Sequence, residues 1–192
     1  MAILYNIKKV VLTELDPKTG APKSSDGVKA TIETAQKAEL EPVLSEGEED
    51  VLRAPEKILA VVRTDDLIYG YDVKLTDNTF SADVAGLVAG YKVTKGNDGA
   101  QKDKYATPMM TEGFTGKPFK LDIYVANYSG DAIVDYAKIT LNKCIGKFPT
   151  MSVGDGFYAP EFEIKARENS AAKKPIKEIT FVEALPQDVS AS

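Results

Sequence analysis

The chain has no histidine, no tryptophan and a single cysteine, Cys144. Without histidine, neither Ser-His-Asp and Cys-His nucleophile activation nor histidine-ligated zinc can be built. One cysteine allows no internal disulfide framework and no multi-cysteine metal site. Long apolar runs are missing too: none approaches the roughly 20 residues that span a bilayer. The N-terminal "MAILYNIKKVVLTELD" puts its lysines after its apolar stretch, opposite to a secretory leader, so neither signal peptide nor membrane helix is expected. Positive charge is in deficit. With 24 Lys and Arg against 29 Asp and Glu, the net charge of −5 disfavours a surface that grips phosphate backbones.

What is present is ordinary for one globular domain. A chain of 192 residues can build one proper core and is short for two. The glycine-rich pieces "KGNDGAQKD" (95–103) and "SVGDGFY" (152–158) match neither a P-loop nor a dinucleotide fingerprint, and the first lacks the glutamate of a calcium loop. Their Asn, Asp and Gly content is that of turns. Glu161 and Glu163 in "EFEIKARE" stand two apart, hence on one face of a strand. Lys165 and Arg167 continue that row, which makes it a solvated or interface face rather than a catalytic dyad. No catalytic residue, cofactor site or metal site is expected, and the chain is not read as an enzyme.

Periodicity supplies the architecture. Val28, Ala30 and Ile32 alternate with Lys29, Thr31 and Glu33. Tyr69, Tyr71, Val73 and Leu75 alternate with Gly70, Asp72, Lys74 and Thr76. Phe119, Leu121, Ile123 and Val125 oppose Lys120, Asp122, Tyr124 and Ala126. Further on, Ala137, Ile139, Leu141 and Ile145 oppose Tyr136, Lys138, Thr140, Asn142 and Cys144. Phe162, Ile164 and Ala166 oppose the Glu161 row, and in "IKEITFVEAL" both faces carry apolar groups, as if covered on both sides. About seven such strands, most with one wet face, predict a mainly β fold, an antiparallel sandwich or barrel.

One helix is predicted, in "KLTDNTFSADVAGLVAG". Ser81 is placed to cap it, Asp83 lies in its first turn, Gly90 ends it, and Val84, Leu87 and Val88 form its apolar stripe. Such a short helix must lean on the sheets, as a lid over one barrel end. The connections are long. Residues 16–27 read as an exposed N-terminal loop or arm, 39–56 as an acidic loop, 91–118 as a second long loop and 186–192 as a flexible tail. The acidic loop carries Glu46, Glu48, Glu49 and Asp50 before Arg53, while Lys92, Lys95, Lys102, Lys104 and Lys117 on the second loop offer a complement on a neighbouring copy.

The order and wording of "LIYGYDVKLTDNTFSADVAGLVAG", "GFTGKPFKLDIYVANYS" and "TFVEALP", after an opening "LYNIKKVVLTELD", resemble the major tail (tail tube) proteins of phages infecting Gram-positive bacteria. The resemblance spans nearly the whole chain and contains no catalytic signature. It implies a tail-tube fold of two packed antiparallel sheets with a flanking helix. It further implies hexameric rings stacked into a hollow tube, through which DNA passes without specific binding. A tape measure protein and tail terminator or tail-tip proteins are the other implied partners, with assembly in the bacterial host cytoplasm and residence in the virion. Glu46, Glu48, Glu49, Asp50, Arg53, Lys102 and Lys104 are then candidates for contacts between subunits or rings, and Glu161, Glu163 and Asp72 for the lumen face. The alternative is a monomeric or dimeric β-sandwich module that binds carbohydrate or another surface; the lack of tryptophan and only 8% aromatics speak against its usual platform.

Overall fold

A computed structural model describes residues 2–24, 27–79, 81–94, 96, 104–109, 111, 116–147 and 159–187. The first half contains β1 (Ile3–Glu14), β2 (Lys29–Ile32), β3 (Ala35–Ser45), β4 (Glu49–Ala54), β5 (Lys57–Arg63) and β6 (Leu67–Asp77). Then come α1 (Ala82–Val88), β7 (Lys92–Thr94), β8 (Lys104–Ala106), β9 (Phe119–Ser129), β10 (Ala132–Gly146), β11 (Glu161–Ala166) and β12 (Lys177–Val182).

Eight strands form one antiparallel sheet in the order β2-β1-β9-β10-β11-β6-β3, with β12 also on β10. The long strand β10 is the branch point. Its Tyr136–Leu141 stretch pairs with β12, and Cys144, Ile145 and Gly146 pair with β11. The sheet therefore divides along β10 and closes over itself in a sandwich-like arrangement. Val10 and Leu12 of β1, Leu121 and Ile123 of β9, Val73 and Leu75 of β6 and Phe162 and Ile164 of β11 meet in one core. Each fully buried side chain of this kind stabilises the fold by about 1.5–3 kcal/mol relative to exposure.

A bulge in β10 corrects one predicted face. Leu141 lies opposite Leu121 but Cys144 lies opposite Phe119, so β10 has one residue more than β9 between those pairs. The extra residue inverts the alternation: Cys144 is fully buried and Ile145 is turned out. Burial pushes the Cys144 thiol far above the usual range, so it is a small core hydrophobe rather than a nucleophile. The last strand differs as well. Ile179 and Phe181 of β12 are 55% and 53% exposed, so the double cover predicted for this strand is absent within the described chain.

The helix forms where predicted. Val84, Leu87 and Val88 sink into the core, Asp83 lies in the first turn, and Gly90 stops the helix at φ +67°. Ser81 occupies the N-cap position, but its side chain makes no capping hydrogen bond; its carbonyl accepts from Ala85 N–H at 2.9 Å. The helix end lies hard against β10, and a Cβ on Gly146 would stand 2.1 Å from the Val88 carbonyl oxygen.

Two of the predicted loops take other forms. Residues 39–45 lie in β3 and 49–54 in β4, so the acidic stretch is mostly strand. Residues 16–24 form an exposed loop, the first of the two forms expected for them, and it is strapped to the body. Asp16 N–H donates to the Ala21 carbonyl at 2.8 Å, and Asn169 Nδ2 donates to the Gly20 carbonyl at 2.9 Å. Lys23 Nζ reaches the buried Glu14 carboxylate at 2.8 Å. Within 91–118, β7 and β8 pair as a short ladder. The C-terminal residues 188–192 and the glycine-rich stretch 152–158 lie outside the described residues.

Candidate self-assembly surfaces

The β4–β5 hairpin pairs with no other strand among the described residues. Its base is fixed by polar contacts: Gly47 N–H donates to Asp66 Oδ1 at 2.8 Å, Glu48 N–H to Thr64 Oγ1 at 2.7 Å, and Thr64 N–H to the Glu48 carbonyl at 3.0 Å. Beyond that base the hairpin is apolar and open. Leu52, Ile58, Val61 and Val62 are each more than half exposed, and Leu67 and Ile68 extend the apolar surface onto the start of β6. A lone two-stranded ribbon is marginal in water, because each strand has one unpaired edge and no sheet behind it.

Charge gathers at the same place. Glu46, Glu48 and Asp50 are exposed, and the turn from β5 to β6 brings Asp65 and Asp66 beside them. Arg53 stands further along β4, opposite Ile58. The Glu49 side chain and all of Lys102 lie outside the described residues. Sequence reasoning missed Asp65 and Asp66, since only the closure of the hairpin makes them neighbours of Glu46 and Glu48. Of the lysines offered as complement, Lys104 is exposed on β8 and Lys117 lies 3.7 Å from Glu14 of its own chain. Lys95 is outside the described set.

Glu161, Glu163 and Asp72, taken from two separate stretches, lie on a single face. Registers across β3, β6 and β11 place Glu39 beside Lys74 beside Glu163, and Glu41 beside Asp72 beside Lys165. Signs alternate along the first of these rows. Lys147 donates to Glu163 at 3.0 Å and holds its carboxyl below the usual range; Lys37 does the same for Glu39. This face is therefore charged but balanced, not the acidic surface its glutamates alone would give.

The opposite outer face, on β9 and β10, holds a buried carboxylate. Thr140 Oγ1 donates to Asp122 Oδ1 at 2.6 Å, Lys120 lies 2.9 Å from Oδ2, and Lys138 lies 3.5 Å from Oδ1. These contacts satisfy the buried Asp122 carboxylate. No cluster of His, Cys, Asp or Glu able to hold a metal occurs among the described residues, and no helix among them is long and apolar enough to cross a membrane. A scan against protein-family models and a search of curated proteins both find no match to the chain.

Proposed function

We propose that the protein is a structural subunit that self-assembles into stacked hexameric rings of a phage tail tube, the hollow conduit for DNA. The observation that carries this is the β4–β5 hairpin, which exposes Leu52, Ile58, Val61 and Val62 on a ribbon with no covering element among the described residues. A second copy covers such a ribbon at no cost in specificity, because every subunit supplies the same surface and closed symmetry satisfies every edge. The exposed Ile179 and Phe181 of β12 and the outer edge of β3, which pairs with no further strand among the described residues, support the same reading. Rings, stacking and the tape measure and terminator partners come from the sequence resemblance, and DNA transit without tight binding is consistent with the net charge of −5.

Negative-stain electron microscopy over a concentration series, with light scattering alongside, tests the proposal. Rings or hollow tubes are expected. A chain that stays monomeric at every concentration and also in the presence of a tail-tip complex would instead favour the β-sandwich binding module.

A further inference from the structure

The bulge that turns Cys144 inward places Ile145 on the outer face in one row with Lys143 and Lys147. Next to that row, β11 presents Lys165 opposite Ile145, and Arg167 N–H donates to the Lys143 carbonyl at 2.9 Å. Together these residues line a groove of about 470 Å³ with four cationic side chains around an apolar floor. Two of the cations have partners, Lys147 with Glu163 at 3.0 Å and Arg167 with Asp72 at 3.9 Å. Among the described residues neither Lys143 nor Lys165 makes an ion pair.

We infer that this groove is the docking site for the acidic hairpin base, Glu46, Glu48, Asp50, Asp65 and Asp66, of a second copy of the chain. The inference rests on the self-assembly reading and names the two surfaces that meet. Charge complementarity selects the occupant: the exposed acids at the hairpin base match a groove with two unpaired lysines. The hairpin-base acids of the same chain do not reach Lys165. Lys165 lies opposite Asp72, and Asp66 stands six residues before Asp72, in the turn that leads into β6, about 20 Å away at strand rise. A nucleic acid backbone fits less well, since Asp72, Glu163, Glu39 and Glu41 border the groove and would meet the next phosphates along any track. The apolar floor at Ile145 in turn suits the adjoining Leu67 and Ile68 of the incoming copy.

The test uses full-length chains with reversed charge. Variant one carries Lys143→Glu and Lys165→Glu; variant two carries Glu48→Lys and Asp65→Lys. Each alone sets like charges against each other and is expected to raise the critical concentration for assembly at least about 10-fold. An equimolar mixture restores both complementary contacts, so assembly returns to within about 3-fold of wild type. Thermal unfolding of each variant shows whether it is folded, and recovery in the mixture excludes misfolding as the cause. Wild-type assembly by either variant alone, or no recovery in a mixture of folded variants, overturns the groove assignment while leaving self-assembly standing. A wild type that never assembles overturns both. Salt-sensitive binding of duplex DNA that is lost in variant one would assign the groove to phosphate and also overturn the proposal.

Discussion

Replacing Leu52 and Val62 by serine separates assembly from folding. The two residues lie on one face of the β4–β5 ribbon, because Val62 is opposite Asp50 and Ala60 opposite Leu52. They are 61% and 63% exposed in the single chain. Complete burial of such a side chain stabilises by about 1.5–3 kcal/mol, so covering the exposed three-fifths of each contributes about 1–1.8 kcal/mol. Together the pair supplies about 2–3.5 kcal/mol to every contact that covers the hairpin, or roughly 30- to 400-fold in critical concentration. The isolated chain gains nothing from that exposed area. Its unfolding midpoint is therefore expected to shift by no more than about 2 °C.

Sedimentation across a dilution series gives the critical concentration, and thermal unfolding at a concentration below assembly gives the midpoint. A critical concentration within about 3-fold of wild type would refute the argument that the ribbon is covered by a neighbour. A midpoint lowered by 5 °C or more, a loss of about 1.3–2.5 kcal/mol, would refute it differently, by showing that the hairpin packs on its own chain.

Gly146→Ala places a methyl group 2.1 Å from the Val88 carbonyl oxygen, and backbone on both sides leaves little room to yield; about 1–3 kcal/mol of stability is expected to be lost in urea unfolding. Asp122→Ala leaves the Thr140 hydroxyl and two lysines without their common partner, costing about 1–3 kcal/mol, and an unchanged unfolding midpoint would contradict the buried network. Glu14 gives a pH signature. Burial pushes its carboxyl upward, but the Lys23 hydrogen bond, the Val28 N–H and the charges of Lys117 and Lys23 together bring it below the usual 4.5. A folded-state value below the unfolded one stabilises above about pH 4.5 and loses that contribution as pH falls through the depressed value. Glu14→Gln should thus be less stable than wild type at pH 7 and approach it at pH 3; a gap that widens on acidification would reverse the assignment.

Period-two alternation located the strands wherever one face is buried and the other wet, which is why Val73 and Leu75, and Phe162 and Ile164, were readable in advance, and the three- and four-residue spacing of Val84, Leu87 and Val88 did the same for the helix. It failed where pairing partners decide the face. The β10 bulge depends on how β10 registers with β9, and no local pattern distinguishes Cys144 inward from Ile145 inward. The acidic stretch failed for another reason: charge density marks a solvated segment, but solvated strands at a sheet edge carry the same composition as loops. Asp65 and Asp66 joined the acidic cluster only through chain closure, and Lys143, Lys147, Lys165 and Arg167 only through the pairing of β10 with β11. Sites that draw residues from distant segments are set by register, and a single sequence does not encode register in any local window.

The face carrying Glu161, Glu163 and Asp72 is now asked to serve two purposes, and charge decides between them. As a lumen lining it would have to repel DNA, yet Lys37, Lys74, Lys147, Lys165 and Arg167 match Glu39, Glu41, Asp72, Glu161 and Glu163 in number on the same strands. A passing phosphate would meet Lys74 one strand spacing, about 5 Å, from Glu39 and Glu163, and Lys165 at the same spacing from Asp72, which gives neither net repulsion nor a continuous track. Alternating signs are instead what a specific contact between copies uses, since they fix register and penalise misalignment. If the protein forms the proposed tube and a second copy occupies the groove at Ile145, this face is closed by protein and the lumen is lined elsewhere, by a surface with an excess of acid. Glu163→Lys therefore discriminates the two roles: at a lumen it would leave assembly unchanged and raise DNA affinity, whereas beside a groove that receives the acidic hairpin base it would free Lys147, lower the critical concentration for assembly and leave DNA binding unchanged.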